Sequence, residues 1–126
     1  MPDEPLTILI AEDEKASVFL YTEVLIEAGY RTVTAENGYQ ALGMLEDEPV
    51  ALLVTDIKMP DMDAFELIPR VREQFPHLPI IVVSAFKNKE EEINAMNLNI
   101  SGFFTKPVDM DELKKKIAEI LAPVAG

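Results

Sequence analysis

The stretch VTDIKMPDMDAF, residues 54–65, places one carboxylate at a change of structure. The apolar residues at its start extend back to Val50 and are rich in β-formers, which predicts a buried strand over Val50–Thr55. Asp56 follows, and the Met59-Pro60 pair then ends regular structure, because proline has no backbone N–H to donate. A carboxylate is therefore expected where a buried strand ends and a loop begins.

Similar short apolar runs recur along the chain, and helical patterns separate them. The predicted strands are Leu6–Ala11, Thr32–Ala35, Val50–Thr55, Pro79–Ser84 and Gly102–Thr105. The predicted helices are Glu14–Ala28, Tyr39–Glu46, Asp63–Phe75, Lys89–Leu98 and Asp111–Leu121. Because the strands are apolar throughout, the five βα units predict an α/β fold with a parallel sheet covered on both faces.

A few residues mark the ends of these elements. Gly29 lies where a glycine commonly follows a helix, and Asn37-Gly38 predicts a turn. Asp63 can cap the third helix, and Asp109 or Asp111 can cap the last one. Pro69 lies within the third helical pattern, so a kink or a shorter first turn is expected there.

Composition narrows the class of protein. A chain of 126 residues suits one domain with a hydrophobic core, without a run of 18 apolar residues that would predict a membrane span. Met1–Glu4 is acidic and does not resemble a signal peptide. The absence of cysteine excludes disulfides and thiolate metal sites and is typical of a cytoplasmic protein. A net charge of −12 disfavours direct nucleic-acid binding and fits a basic partner or a bound cation, unless it only maintains solubility.

Polar residues stand at the carboxyl ends of four predicted strands, where open parallel sheets bind ligands. They are Glu12-Asp13, Asp56, Ser84 and Lys106. If the first and third strands are neighbours, three carboxylates converge, and protonation or a cation must relieve their repulsion. Oxygen ligands favour Mg²⁺, which also binds phosphate oxygens. A carboxylate nucleophile, a metal, a lysine and a hydroxyl together suit phosphoryl transfer.

Each part also has a simpler interpretation. Asp56 can be a helix cap or a solvated group, and Glu12-Asp13 can merely favour the start of a helix. Ser84 can be a turn residue, Lys106 a surface lysine, and His77 an ordinary loop residue. The joint interpretation depends on several such residues occurring together at the strand ends.

These residues, in order and at this spacing, resemble the receiver domain of bacterial two-component response regulators. The acidic pair is followed by Asp56-Ile57-Lys58-Met59-Pro60-Asp61-Met62-Asp63, then Ser84-Ala85, then Phe103-Phe104-Thr105-Lys106-Pro107. The resemblance covers a core of about residues 6–121 and implies one receiver domain over 1–126. It implies a flavodoxin-like, doubly wound (βα)5 fold with a five-stranded sheet in the order 2-1-3-4-5.

The resemblance also implies roles in a His-to-Asp phosphorelay. Asp56 would accept a phosphoryl group from a sensor histidine kinase or phosphotransfer protein, with Mg²⁺ held by Glu12, Asp13, Asp56 and the Lys58 backbone carbonyl. Ser84 and Lys106 would bind the phosphoryl oxygens, Phe103 would be the aromatic switch residue, and the Lys106-Pro107 bond would be cis. Phosphorylation would then shift the face made by the fourth helix, fifth strand and fifth helix, and so control an effector or a fused output domain.

Three departures from the family pattern modify these expectations. Ala64 replaces the usual glycine, which would be unfavourable if the backbone there had a positive φ. Phe103 replaces the commoner tyrosine and offers no hydroxyl. Phe86, two residues beyond Ser84, is bulky, and we expect it to shield the acyl phosphate from water and slow its hydrolysis.

Two surface features bear on partners. Val18-Phe19-Leu20-Tyr21 is a continuous apolar run that one helical stripe cannot bury, so one or two of its side chains are expected at the surface, either to dock on a kinase or without a partner. Ser101-Gly102 lacks the acidic residues typical of dimers through the fourth helix and fifth strand, which weakens the case for that dimer.

Two other classes of function stay open at this point. A phosphatase of the haloacid dehalogenase type needs an acidic residue two beyond its nucleophile, and Lys58 occupies that position. An interaction module with a decayed site is disfavoured by the complete set of site residues. We expect a domain that promotes its own phosphorylation and dephosphorylation and is not a turnover enzyme. The tail Pro123–Gly126 can be a simple end or part of a linker.

Overall fold

The computed structural model describes residues 5–122, in which five strands alternate with five helices. The expectations about Met1–Glu4 and the tail Pro123–Gly126 lie outside the described residues. The strands are β1 (Thr7–Ala11), β2 (Arg31–Ala35), β3 (Leu52–Asp56), β4 (Ile80–Ser84) and β5 (Gly102–Thr105). The helices are α1 (Lys15–Glu27), α2 (Gly38–Asp47), α3 (Ala64–Gln74), α4 (Lys89–Ala95) and α5 (Met110–Leu121).

All five strands are parallel and pair in the order β2-β1-β3-β4-β5, which confirms the predicted topology. The direction in which strands are added reverses between β1 and β3. Strand β2 lies on one side of β1, and the chain then crosses over so that β3, β4 and β5 lie on the other side. This reversal makes β1 and β3 neighbours, with Ala11 paired to Thr55. The residues that follow these two strands therefore meet at one edge of the sheet.

Two separate hydrophobic clusters cover the faces of the sheet. On one face, side chains of α2, α3 and α4 pack on Leu9, Leu53 and Val82. On the other face, side chains of α1 and α5 pack on Ile8, Ile10 and Val54. Strands β1, β3 and β4 are buried along their whole length, as a sheet covered by helices on both faces requires.

Most predicted boundaries agree with the structure within two residues. Asp63 caps α3 by accepting from the Glu66 N–H at 3.1 Å, and Asp109, rather than Asp111, caps α5. Gly29 has a φ of 101°, which glycine adopts readily after a helix. Within residues 5–122, no helix is long and apolar enough to cross a membrane.

The predictions differ from the structure at a few positions. Helix α4 ends at Ala95 rather than Leu98, because Asn97 and Asn99 adopt positive φ values of 55° and 57°, which a right-handed helix excludes. Asn37-Gly38 is not a free turn: Asn37 caps α2, and Gly38 is its first residue. Helix α3 begins at Ala64 and continues past Pro69, so no shorter first turn is seen.

The expected backbone strain at Ala64 is absent. Ala64 is the first residue of α3, and the positive φ of this loop lies at Asp61, with a value of 69°. Aspartate tolerates that conformation better than most residues. The loop therefore turns before Ala64, and an alanine there carries no conformational penalty.

Gly38 provides a test of how tightly the loop after β3 packs against α2. A Cβ added there would lie 2.6–2.8 Å from three side-chain atoms of the buried Met62. Because this overpacks a buried contact, Gly38→Ala should lower the free energy of unfolding by roughly 1–3 kcal/mol in urea titrations.

Gly43 is the matched control, because it lies in the same helix and an added Cβ would meet nothing within 4 Å. Gly43→Ala should raise the free energy of unfolding by roughly 0.5–1 kcal/mol through helix propensity. Equal effects of the two substitutions would contradict the packing argument.

Candidate functional site

The predicted acidic residues do converge at the carboxyl edge of the sheet. Glu12 and Asp13 follow β1, and Asp56 is the last residue of β3. Each offers a carboxylate oxygen, and the three oxygens lie within 4.8 Å of one another. Glu12 and Asp56 are buried, whereas Asp13 is exposed. The strand order produces this cluster, because it places β1 directly beside β3.

Lys106 joins the two buried carboxylates. Its Nζ donates to Glu12 Oε1 and to Asp56 Oδ2, both at 2.9 Å. The side chain of Glu12 is 1% exposed and that of Asp56 is 12% exposed, so both interactions are largely withdrawn from solvent. Lys106 follows β5 at the edge of the sheet, and its side chain reaches past β4 to connect residues from three separate βα units.

Backbone groups fix the other oxygens of these carboxylates. Asp56 Oδ1 accepts from the Ile57 N–H at 2.7 Å, and Glu12 Oε2 accepts from the Glu14 N–H at 3.1 Å. Each buried carboxylate thus has a donor on both oxygens, as buried charged groups require. The plane of the Asp56 carboxylate is therefore held in one orientation.

The pKa shifts of Glu12 and Lys106 reflect their burial and the hydrogen bonds between them. Burial raises the pKa of the Glu12 carboxyl, and the bonds from Lys106 and the Glu14 N–H offset this only in part. Burial lowers the pKa of the Lys106 ammonium, but its bonds to Asp56 and Glu12 outweigh this and raise it overall. The Lys106 ammonium has two carboxylate partners, so its protonated form is favoured despite its partial burial.

The donor set fits a divalent cation of the Mg²⁺ type. Three carboxylates within reach of one another carry more negative charge than Lys106 neutralises, and all the offered ligands are hard oxygens. Asp13, which is exposed, leaves one side of the cluster accessible to solvent. Within residues 5–122 this is the only group of three or more His, Cys, Asp or Glu side chains close enough to hold a metal.

Ser84 lies at the end of β4, but its hydroxyl is engaged within its own loop. Ser84 Oγ accepts from the Phe86 N–H at 2.9 Å and donates to the Phe86 carbonyl at 3.2 Å. The Ser84 carbonyl also accepts from the Lys106 N–H at 2.7 Å, which links the ends of β4 and β5. The structure therefore places Ser84 at the same carboxyl edge of the sheet as Asp56, but the two side chains are not hydrogen-bonded to each other.

The remaining predicted residues lie on the two loops beside the site and on β5. Lys58 is exposed, and its Nζ lies 5.3 Å from the centroid of the Phe86 ring, which is itself half exposed. Phe103 is partly buried on β5 and packs against the first hydrophobic cluster. The Lys106-Pro107 peptide bond is cis, as the resemblance implied.

Sequence reasoning missed two features of the site. It assigned Lys106 to a phosphoryl oxygen and did not anticipate that Lys106 also binds Glu12, which lies 94 residues earlier in the sequence. It also missed the Ile57 N–H as a donor to Asp56. No sequence signal predicts the first contact, whereas short polar side chains such as aspartate commonly bond nearby backbone groups, which could have suggested the second.

Comparison with known proteins agrees with this geometry. A family profile described as the response regulator receiver domain matches residues 8–118. The transcriptional regulatory protein GlrR of Escherichia coli K12 is 31% identical over 121 residues, which is 96% of this chain and 27% of GlrR. An uncharacterized 14.6 kDa protein of Leptolyngbya boryana is 36% identical over 116 residues, 90% of this chain and 88% of that protein.

The chain spans about a quarter of the length of GlrR and of the similar curated regulators that it matches. Other curated relatives are a sensor histidine kinase and a sensor protein. Among solved structures, the response regulator TrrA of Thermotoga maritima in complex with Mg²⁺-BeF has a TM-score of 0.84 and 29% identity, covering 92% of this chain and 99% of that one. A CheY-like response regulator receiver domain protein of Methanospirillum hungatei also has a TM-score of 0.84 and 29% identity, covering 91% of this chain and 92% of that one.

Lys106→Met tests whether the lysine is the counterion of the cluster. The methionine keeps most of the apolar stem but leaves Glu12 and Asp56 buried without a cation, so the free energy of unfolding at neutral pH without divalent ions should fall by roughly 1–3 kcal/mol.

Lys89→Met is the control, because Lys89 pairs with Glu92 at 3.3 Å on the surface of α4. Its effect should stay below about 0.5 kcal/mol in the same urea titration. If Lys106→Met were as mild as Lys89→Met, the role of Lys106 as a buried counterion would be rejected.

Proposed function

Since the chain belongs to the response regulator receiver domain family, we propose that it is a phosphoacceptor switch in which Asp56 receives a phosphoryl group from a phosphohistidine. The phosphodonor is a sensor histidine kinase or a phosphotransfer protein. The reaction transfers one phosphoryl group and alters the shape of the domain, so the domain serves signalling and is not a turnover enzyme.

One observation carries this proposal. Lys106 holds Glu12 and Asp56 at 2.9 Å each, in a cluster of three carboxylates at the carboxyl edge of β1 and β3. Such a cluster is unfavourable as a purely structural feature, because burying uncompensated charge costs several kcal/mol. It is suited to an anionic group that arrives with a cation, and phosphoryl transfer is catalysed mainly by positioning and charge neutralisation.

The nucleophile is a carboxylate oxygen of Asp56. That oxygen attacks the phosphorus, the new O–P bond forms as the P–N bond breaks, and the electron pair of the broken bond returns to the histidine of the donor. The Ile57 N–H holds the Asp56 carboxylate in its plane during this step. The Lys106 ammonium is already bonded to Asp56, so it can move from the carboxylate to the phosphoryl oxygens when the negative charge appears there.

Glu12, Asp13, Asp56 and the Lys58 carbonyl are the groups that would hold Mg²⁺. Bound there, the ion would neutralise the charge of the phosphoryl oxygens. The relative TrrA is described in complex with Mg²⁺-BeF, which supports this assignment. Asp13 contributes the exposed carboxylate, so ion exchange needs no opening of the core.

The output begins at Ser84. A phosphoryl group on Asp56 offers acceptor oxygens stronger than the Phe86 carbonyl, so the Ser84 hydroxyl would exchange one partner for the other. That exchange frees the Phe86 backbone and the loop before α4, and it moves the end of β4 to which the Lys106 N–H is bonded. Phe103, partly buried on neighbouring β5, is the aromatic residue that would follow. The phosphate thereby shifts the population of two arrangements of the α4-β5-α5 face.

The lengths of the relatives support a proposal about the domains around this switch. Regulators such as GlrR and sensor proteins are much longer than the region they share with this chain. We therefore expect the switched face to act on an effector or a fused output domain, in the cytoplasm. Direct nucleic-acid binding by residues 1–126 is disfavoured by their net charge of −12. A phosphatase of the haloacid dehalogenase type is disfavoured by Lys58 two residues beyond Asp56.

Asp56→Ala should abolish phosphorylation. Incubation of the parent protein with Mg²⁺ and a small phosphodonor should add one phosphate by intact mass, and the variant should add none. Asp61→Asn is the matched control, because Asp61 is an exposed acid of the same loop and asparagine also accepts its positive φ. It should be phosphorylated like the parent.

The alternative of a decayed interaction module predicts a different pattern. In that case the parent protein would add no phosphate, and fluoroberyllate would fail to bind in the presence of Mg²⁺. A phosphate that persisted in Asp56→Ala would instead place the acceptor elsewhere.

Phe86→Ala should shorten the lifetime of the acyl phosphate several-fold. The ring and the Lys58 ammonium meet between the loops that follow β3 and β4, the strands that carry Asp56 and Ser84, and they restrict the approach of water. Decay of the phosphorylated species measures this directly, with the neighbouring exposed Lys87→Ala as the control. An unchanged lifetime in Phe86→Ala would dismiss the shielding role.

A further inference from the structure

A large apolar groove lies between α1 and the edge strand β2. It has a volume of about 770 Å³, and we call it the α1–β2 groove. Its apolar wall is formed by Val18, Phe19 and Ile26 of α1, and strand β2 contributes Thr32 and Thr34. Its upper end borders the acidic cluster at Glu12 and Asp13, and the rest of its lining comes from α1 and β2 and the residues beside them.

The groove exists because the two faces of the sheet are covered unequally. Within residues 5–122, three helices pack on the face that carries Leu9, and only α1 and α5 pack on the face that carries Ile8. Thr32 pairs with Ile8 and Thr34 with Ile10, so alternation along the strands places both threonines on this second face. They line the space beside α1 at the β2 edge of the sheet.

The α1 side of this space is apolar and exposed. Phe19 is 67% exposed and Ile26 is 55% exposed, and the seven-residue interval between them places them on one stripe, two turns apart. Leu20 is also exposed, but it lines a different cavity on the α5 side of the helix, together with Lys106 and Pro107. The predicted surface run of α1 therefore divides between two flanks, while Tyr21 is buried beneath it.

The charges around the groove select its occupant. Its rim carries the exposed acids Asp13, Glu23, Glu27 and Glu36, against the single base Lys15. Within residues 5–122, none of these four acids is in a salt bridge. A second copy of the chain would bring a net charge of −12 to this rim and be repelled, whereas a basic segment would be attracted.

We propose that the α1–β2 groove binds an amphipathic helix of a partner protein that is apolar on one face and flanked by lysine or arginine. The apolar face packs on Phe19 and Ile26 and covers Thr32 and Thr34. The flanking bases pair with the acidic rim, chiefly with Glu23 and Glu27 on α1. Its apolar anchors Phe19 and Ile26 are not phosphorylation residues, so peptide binding and phosphorylation can be measured separately, and either can fail without the other.

The test uses a fluorescent lysine- and leucine-rich peptide of about 18 residues, designed to be an amphipathic helix. Its control has the same composition with the leucines distributed around the helix. Anisotropy titrations at physiological salt should give tight binding of the first peptide and at least tenfold weaker binding of the control. Amide chemical shifts of the labelled protein should change along α1 and β2.

Phe19→Ser and Ile26→Ser should each weaken binding of the amphipathic peptide about tenfold, because each removes an apolar anchor. Leu20→Ser, on the other flank of the same helix, should change it less than twofold. Glu23→Gln combined with Glu27→Gln should reduce the salt dependence of the affinity. Phe19→Ser should still accept phosphate from a small phosphodonor, which separates this surface from the site at Asp56.

Three outcomes would overturn the proposal. One is equal binding of the two peptides, and another is a chemical-shift pattern centred on α4, β5 and α5. The third is a dimer in sedimentation velocity that Phe19→Ser abolishes, since the groove would then be an interface between copies of this chain.

Discussion

One ammonium group among three carboxylates is the interaction on which this structure depends. Lys106 contacts Glu12 and Asp56, which lie 94 and 50 residues away in the sequence. It therefore connects the carboxyl ends of β1, β3 and β5, the first, third and last strands of the chain. Burial raises the pKa of the Glu12 carboxyl, and the hydrogen bond from Lys106 offsets this only in part. Three carboxylates beside one lysine also leave the cluster with excess negative charge, which a divalent cation would neutralise in the proposed function.

The connection from this cluster to the rest of the domain is short. Ser84 bonds the Phe86 backbone through its hydroxyl, and its carbonyl bonds the Lys106 N–H. In the proposed switch, a phosphoryl group on Asp56 would act on Ser84 and Lys106, whose backbones are already hydrogen-bonded between β4 and β5. Because packed strands and helices change between discrete arrangements rather than bending gradually, the proposed exchange of partners at Ser84 would be enough to bias the α4-β5-α5 face.

Helix α1 has apolar side chains on three different sides. Tyr21 and Leu25 anchor it to the sheet, Leu20 faces the α5 side beside Lys106, and Phe19 with Ile26 faces the edge strand. This division explains why its sequence has no single apolar stripe. A helix that only covered the sheet would have one apolar face, whereas this one is apolar on three sides.

The sequence by itself determined the alternation of strands and helices and the position of the carboxylates and the lysine at the strand ends, because these depend on local periodicity and on turn chemistry. It failed where distant parts of the chain meet. The early end of α4 depends on two left-handed asparagines in a packed loop, and the bond from Lys106 to Glu12 depends on strand order and register. Which apolar residues of α1 stay exposed was likewise decided only by the tertiary structure, because burial depends on which helices share a face of the sheet.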